Sequence, residues 1–203
     1  MRISSIEQAI KVLKAGGVVV YPTDTAYGLA VDATNLAAVK KLYTLKGRDF
    51  KKPTHVIVPS TDLLTVPYYS LNRAVLKLIN KFWPGPLTII VPLKARGASW
   101  KMLSAGTKTI GIRYPNHPPA QILCEALGKP ITTTSANVSG QSTTYSVSEV
   151  KKQFAKYKLK PDFYLDGGKL KRVAPSTIVA IVNNRVKILR EGPISEKEIK
   201  KAL

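Results

Sequence analysis

Apolar residues open the chain at helical spacing: Ile6, Ile10 and Leu13 share one stripe, and Gly16-Gly17 ends it. Ser5 with Gln8 three residues on reads as a capping box, so a first helix is expected from Ser5. The period then shortens. Residues 18–21 are a β-branched run closed by Pro22, hence a strand, and a helical stretch from about Leu36 to Leu45 follows. Residues 54–59 read as another strand. Leu71, Val75, Leu78, Ile79 and Phe82 fall on one helical face with Ser70 as the expected cap, and Trp83-Pro84-Gly85-Pro86 breaks that helix.

Strands are expected at 87–92, 109–114 and 130–134, with a helix at 119–127 that carries proline in its first turn. After a polar loop, residues 146–157 are helical in pattern and 162–166 strand-like, with Gly167-Gly168 as a turn. Residues 177–182 and 185–190 form a hairpin across Asn183-Asn184, and a capped helix at 195–202 closes the chain. Helices alternate with short strands, but the last strands are adjacent and must pair antiparallel. The expected fold class is therefore α/β, one domain over 1–203 with a mixed parallel/antiparallel sheet flanked by helices.

Composition narrows the class. The 203 residues are 44% apolar, enough for a buried core, and include one cysteine, Cys124, and two histidines. An internal disulfide is impossible and a Cys/His zinc cluster cannot be assembled. The longest apolar runs, 18–21 and 87–93, are far shorter than the ~20 residues that cross a bilayer, and the N-terminus has no signal-peptide pattern. A reduced, cytoplasmic protein without a membrane segment is expected.

Charge is the unusual quantity: the net value is +20, and three stretches, 40–52, 94–113 and 151–172, hold +16 of it. Such a field favours polyanionic partners, nucleic acid or nucleotide phosphates. No Walker loop, G-x-G-x-x-G, G-x-S-x-G or H-E-x-x-H motif occurs, so P-loop, Rossmann, serine hydrolase and zinc protease chemistries lose weight. What remains are polar stretches at strand ends, where α/β sheets bind ligands. They are Tyr21 to Leu29, the basic run from Lys46 through Arg48 to His55, Thr109 to Pro115, Thr132 to Asn137, and Ser176 with Arg190 across the hairpin. Together they describe a cation-rich, hydroxyl-lined cleft. Cys124, Trp83 and Trp100 read as packing residues.

These stretches, read as YPTDTAYGL at 21–29, KGR at 46–48, FWPGPLT at 82–88, IRYP at 112–115, TSANVSG at 134–140, PST at 175–177 and REG at 190–192, occur in order. Together they resemble the YrdC-like family of L-threonylcarbamoyladenylate synthases, in its short single-domain form, over about residues 5–195. The resemblance implies a twisted sheet around a positively charged concave cleft, and a reaction of L-threonine, bicarbonate and ATP to threonylcarbamoyl-AMP, pyrophosphate and water. A threonylcarbamoyl transferase complex then modifies adenosine 37 of tRNA. It further implies Lys46, Arg48 and Arg113 as the catalytic cations. Lys46, Arg48, Thr109, Ser135, Asn137, Thr143 and Arg190 are implied on ATP, and Tyr27, His55, Arg113, Thr133 and Ser176 on threonine. No protein metal ligand is implied, Mg2+ arriving with the triphosphate. Ala26 departs from the family, which often has a larger apolar residue there. The alternative is a double-stranded RNA or tRNA-binding module without synthase activity, since members of the family have been described as RNA-binding.

Overall fold

The computed structural model describes residues 3–60, 68–182 and 185–203. Its centre is a mixed sheet whose strands alternate their side chains between two apolar layers. β1 (Val19–Pro22) is buried at every position: Val19 and Tyr21 face one layer, while Val20 faces the other with the preceding Val18. A continuous apolar run is thus the signature of a strand covered on both faces. On one side α1 (Ile3–Lys14) places Ala9 and Leu13 against α5 (Pro118–Leu127), which adds Ala120, Leu123 and Cys124. The other side is covered by α2 (Leu36–Lys46), α3 (Arg73–Phe82), α4 (Ala98–Leu103), α6 (Val147–Phe154) and α7 (Glu196–Lys201).

The remaining strands are β2 (Tyr27–Ala30), β3 (His55–Ile57), β4 (Leu87–Pro92), β5 (Thr109–Arg113), β6 (Ile131–Ser135), β7 (Phe163–Tyr164), β8 (Thr177–Val182) and β9 (Arg185–Arg190). Their order across the sheet is β7-β1-β2-β6-β3-β5-β4-β8-β9. The pairs β1/β7, β3/β5 and β4/β8 are parallel and the other five antiparallel, so the expected mixed sheet is present. In this order the C-terminal end of β5, the N-terminal ends of β4 and β8 and the C-terminal end of β9 converge. His55 at the start of β3 stands opposite Thr133 of β6.

Several local expectations are corrected. The first helix starts at Ile3, not Ser5, so that Ser5 lies inside its first turn and does not cap it. Asn72, not Ser70, caps α3, its side chain accepting from the Val75 amide at 2.9 Å. Two elements were not foreseen. β2 is too short and glycine-containing to announce itself, and forms because β1 and β6 pair with its two edges. α4 is six residues long, held by Trp100, which is buried against the Tyr68 and Tyr69 rings. The Asn183-Asn184 connection lies outside the described residues, although the strands on either side pair as expected.

Candidate active site

The β1–β2 turn is shaped by Thr23. Its hydroxyl donates to the Ala26 carbonyl at 2.7 Å and accepts from the Thr25 and Ala26 amides, both at 3.2 Å. The side chain thereby replaces backbone turn bonds and holds Asp24 and Thr25 at the end of the sheet. Arg113, the last residue of β5, reaches them: Nη2 pairs with Asp24 Oδ1, Nη1 donates to Thr25 Oγ1 at 3.3 Å, and Nε donates to the Gly85 carbonyl at 3.2 Å. Gly85 belongs to the Trp83-Pro84-Gly85-Pro86 break, where a Cβ would stand 2.4 Å from the Phe82 carbonyl oxygen, so only glycine fits. The cis Trp83–Pro84 bond lies in the same turn.

His55 lies across Gly111, between β6 and β5. Burial, followed by the positive charges of Arg190, Arg48 and Arg113, pushes its pKa down to about 4, so the ring is neutral at physiological pH. Arg190, the last residue of β9, folds back on Ser176, donating from Nε and Nη2 to its carbonyl at 3.0 and 2.8 Å and from Nη2 to its hydroxyl at 3.2 Å. The Ser176 hydroxyl also shares a hydrogen with Thr88 across the parallel β4/β8 pair at 2.9 Å. Gly192 permits this closure: a Cβ there would meet the Pro175 carbonyl oxygen at 2.1 Å and the Thr177 nitrogen at 2.7 Å.

Lys46 ends α2 and turns inward. Its ammonium donates to the Ser135 carbonyl at 2.5 Å, the Asn137 carbonyl at 2.7 Å and Asn137 Oδ1 at 2.6 Å, and the Ser135 hydroxyl joins the same Oδ1 at 2.6 Å. Its acceptors are all neutral; burial and then the nearby Arg48 charge bring its pKa down to about 7. Gly47 in the left-handed region ends the helix, and Arg48 beyond it donates to the Lys52 and Pro53 carbonyls at 3.3 and 2.7 Å.

These groups surround a cavity of about 270 Å³. Of the residues singled out above, Tyr27, Arg48, His55, Arg113 and Thr133 line it, as do Ser135, Thr143, Ser176 and Arg190. Among the described residues its lining has three guanidinium groups, many hydroxyls and no carboxylate. Three expected residues are elsewhere. Lys46 and Asn137 lie behind the wall as the network that fixes Ser135, and Thr109 stands at the far end of β5 from Arg113, its hydroxyl sharing a hydrogen with Thr107 at 3.0 Å. The Tyr27 hydroxyl is engaged by the chain itself: it donates to the Gly168 carbonyl at 2.7 Å and accepts from the Gly167 amide at 2.9 Å. Burial pushes its pKa up to about 12.

The structure adds residues that pattern reading passed over. Tyr145 and Val173 close one side of the cavity, and Thr88 and Pro175, quoted above within the 82–88 and 175–177 stretches but given no role, line it beside Ser176. The segment after Gly168 is held there by the Leu170 amide on the Tyr145 carbonyl at 2.8 Å. The one available signal was the Gly167-Gly168 pair, read only as a turn. Among the described residues no cluster of three His, Cys, Asp or Glu could hold a metal, and no helix is long and apolar enough to cross a membrane. Cys124 is buried with its thiol on the Ile57 and Lys129 carbonyls, both at 3.3 Å, and Trp83 is buried with Nε1 on the Leu87 carbonyl at 2.8 Å, in packing roles.

Known proteins resemble this chain in sequence and in fold. The Sua5/YciO/YrdC family profile, described as "Telomere recombination", matches residues 11–192. A Vibrio vulnificus protein named threonylcarbamoyl-AMP synthase is 37% identical over 154 residues, covering 74% of this chain and 81% of its own. The structure of P. abyssi Sua5 complexed with L-threonine superposes with a TM-score of 0.89 at 30% identity; 98% of this chain is covered, and it spans 57% of that longer protein. E. coli YciO superposes with a TM-score of 0.82 at 28% identity, covering 96% of this chain and 92% of its own. The matched segment contains every residue that lines the cavity, and on that evidence the chain belongs to the Sua5/YciO/YrdC family.

Proposed function

We propose that the protein is an L-threonylcarbamoyladenylate synthase, forming threonylcarbamoyl-AMP and pyrophosphate from L-threonine, bicarbonate and ATP for modification of tRNA adenosine 37 by a transferase complex. The observation that carries the reading is the cavity: three arginines and a neutral histidine amid hydroxyls, with no carboxylate among the described lining residues. It suits a reaction in which negative charge grows on phosphate and no protein nucleophile takes part.

In balanced form, the threonine amine adds to bicarbonate and loses water to give a carbamate, whose oxygen attacks the α-phosphorus while pyrophosphate leaves. Arg113 meets the threonine carboxylate, and His55, neutral and beside it, hydrogen-bonds the bound threonine without taking up charge; the amine reacts as its free base, its proton having gone to solvent. Arg48 and Arg190 meet the phosphates, and positioning supplies much of the rate. Mg2+ enters with the triphosphate. A hydroxyl-lined wall without carboxylates fits an ion that keeps most of its own waters.

The test is pyrophosphate release from ATP and Mg2+ with L-threonine and bicarbonate, each omitted in turn. Release that requires all of them and collapses in Arg113→Ala supports the reading; release indifferent to threonine overturns it.

A further inference from the structure

The three arginines of the cavity are not equivalent. Among the described residues Arg48 and Arg190 donate only to neutral oxygens, the Lys52 and Pro53 carbonyls for the first and the Ser176 carbonyl and hydroxyl for the second. Arg113 alone faces a carboxylate, Asp24, in a pair whose side chains are 6% and 15% exposed. Both Asp24 oxygens are engaged, the second accepting from the Asn116 amide at 3.2 Å. It stands behind Arg113 and is not part of the cavity lining. No other ion pair reaches a cavity arginine among the described residues.

Two consequences follow. A guanidinium carries five N–H groups. Three of those on Arg113 are taken by Gly85, Thr25 and Asp24, so the orientation is fixed and two remain, enough for one bidentate carboxylate. The second consequence is electrostatic. With Asp24 against it, Arg113 presents a nearly compensated charge, while Arg48 and Arg190 present whole ones, and this difference is large where side chains are desolvated. A polyphosphate is drawn to the uncompensated pair; a singly charged carboxylate that arrives with its own ammonium group fits the compensated one.

We propose that Asp24 is a positioning and specificity residue that sorts the two anionic substrates, keeping polyphosphate away from Arg113 and reserving it for the amino-acid carboxylate. The proposal rests on the synthase reading above. It is negative selection by charge: the carboxylate lowers the affinity of one end of the cavity for the wrong anion more than for the right one.

The test is calorimetric titration of L-threonine into the wild-type protein and into Asp24→Asn, at fixed ionic strength, with and without saturating pyrophosphate. In the wild type the threonine Kd is expected to be the same in both conditions. In Asp24→Asn, pyrophosphate is expected to occupy the exposed Arg113 and raise the apparent threonine Kd about tenfold or more. A merely structural role for Asp24 would lower the melting temperature without creating that competition. A folded Asp24→Asn that binds threonine independently of pyrophosphate overturns the proposal, and so does competition already present in the wild type, a result that needs no variant. Wild-type protein that takes up neither L-threonine nor pyrophosphate overturns the synthase reading itself, and the sorting role with it.

Discussion

Gly111 lies directly under the His55 imidazole: a methyl group on residue 111 would stand 2.5 Å from Cδ2 and 2.8 Å from Cγ of the ring. The absent side chain in the middle of β5 is therefore the space into which the histidine of the neighbouring strand is laid. Gly111→Ala must push the ring toward the cavity or the strands apart. Overpacking of this kind costs about 1–3 kcal/mol. The expected outcome is a lower melting temperature with a kcat/KM for threonine reduced by roughly tenfold or more, because the displaced ring crowds Arg113. Steady-state kinetics and thermal unfolding check both.

The same histidine gives the protein a pH signature. In the unfolded chain His55 takes up a proton near 6.5, whereas the folded site, desolvated and ringed by arginines, does so only at about 4. Between those values the unfolded state holds more protons, so stability rises as pH rises through the window. Below it the penalty is complete, at most about 3 kcal/mol; above it the effect vanishes. Denaturant titrations at a series of pH values should show this slope in the wild type and a flattened one in His55→Asn.

Lys46 is expected to act through Ser135 rather than by touching phosphate. Its three ammonium protons converge on three oxygens of the 135–137 segment, and Ser139 donates its amide to the Lys46 carbonyl at 2.8 Å. Lys46→Met leaves buried acceptors unpaired, a cost of about 1–3 kcal/mol. Lys46→Arg should not rescue it, since a planar fork cannot place three donors on one point. Measured by unfolding and by ATP titration, the methionine variant should lose stability and ATP affinity together. Lost ATP affinity at unchanged stability would mean that the ammonium leaves this network to meet phosphate.

Gly192→Ala should be among the most damaging single changes. A methyl 2.1 Å from the Pro175 carbonyl oxygen cannot be relieved by a rotamer, because the obstacle is backbone. Moving it also breaks the Thr177 hydroxyl from the Gly192 and Ile194 amides, now at 3.0 and 3.1 Å, and withdraws Arg190 from Ser176. A loss of about 2–3 kcal/mol and of nearly all activity is expected from unfolding and pyrophosphate-release measurements.

How far the sequence carried these conclusions depended on whether a residue's role is local. The β-branched run at Val18 to Tyr21, the capped helix that begins at Ser195 and the hairpin strands were legible because period and caps are written in neighbouring residues. So was the gathering of most hydroxyls and arginines at strand ends. Direction was not legible. Lys46 in a basic run reads as a phosphate cation, yet the last turn of α2 aims it at the Ser135 to Asn137 segment. Thr109 and Arg113 share one strand, but four residues of β structure separate them by roughly 13 Å, so they lie at opposite ends. The need for glycine at 111 and 192 comes from residues far away in the chain.

Tyr27 offers the sharpest separation of a direct contact from an indirect one. Its ring is buried in β2 and its hydroxyl is the tie between that strand and the segment leading to Val173 and Pro175 at the cavity: it donates to the Gly168 carbonyl at 2.7 Å and accepts from the Gly167 amide at 2.9 Å. Tyr27→Phe keeps the ring and removes the tie, so the packing cost is small, about 1 kcal/mol. The Gly167 amide loses its acceptor. Its hydrogen exchange should accelerate by about tenfold in protein without any substrate, in step with a fall in threonine affinity of similar size. Amide exchange followed by NMR and a threonine titration on the same sample check this. Weakened threonine binding with unchanged Gly167 exchange would instead mean that the hydroxyl exchanges its backbone partners for the substrate.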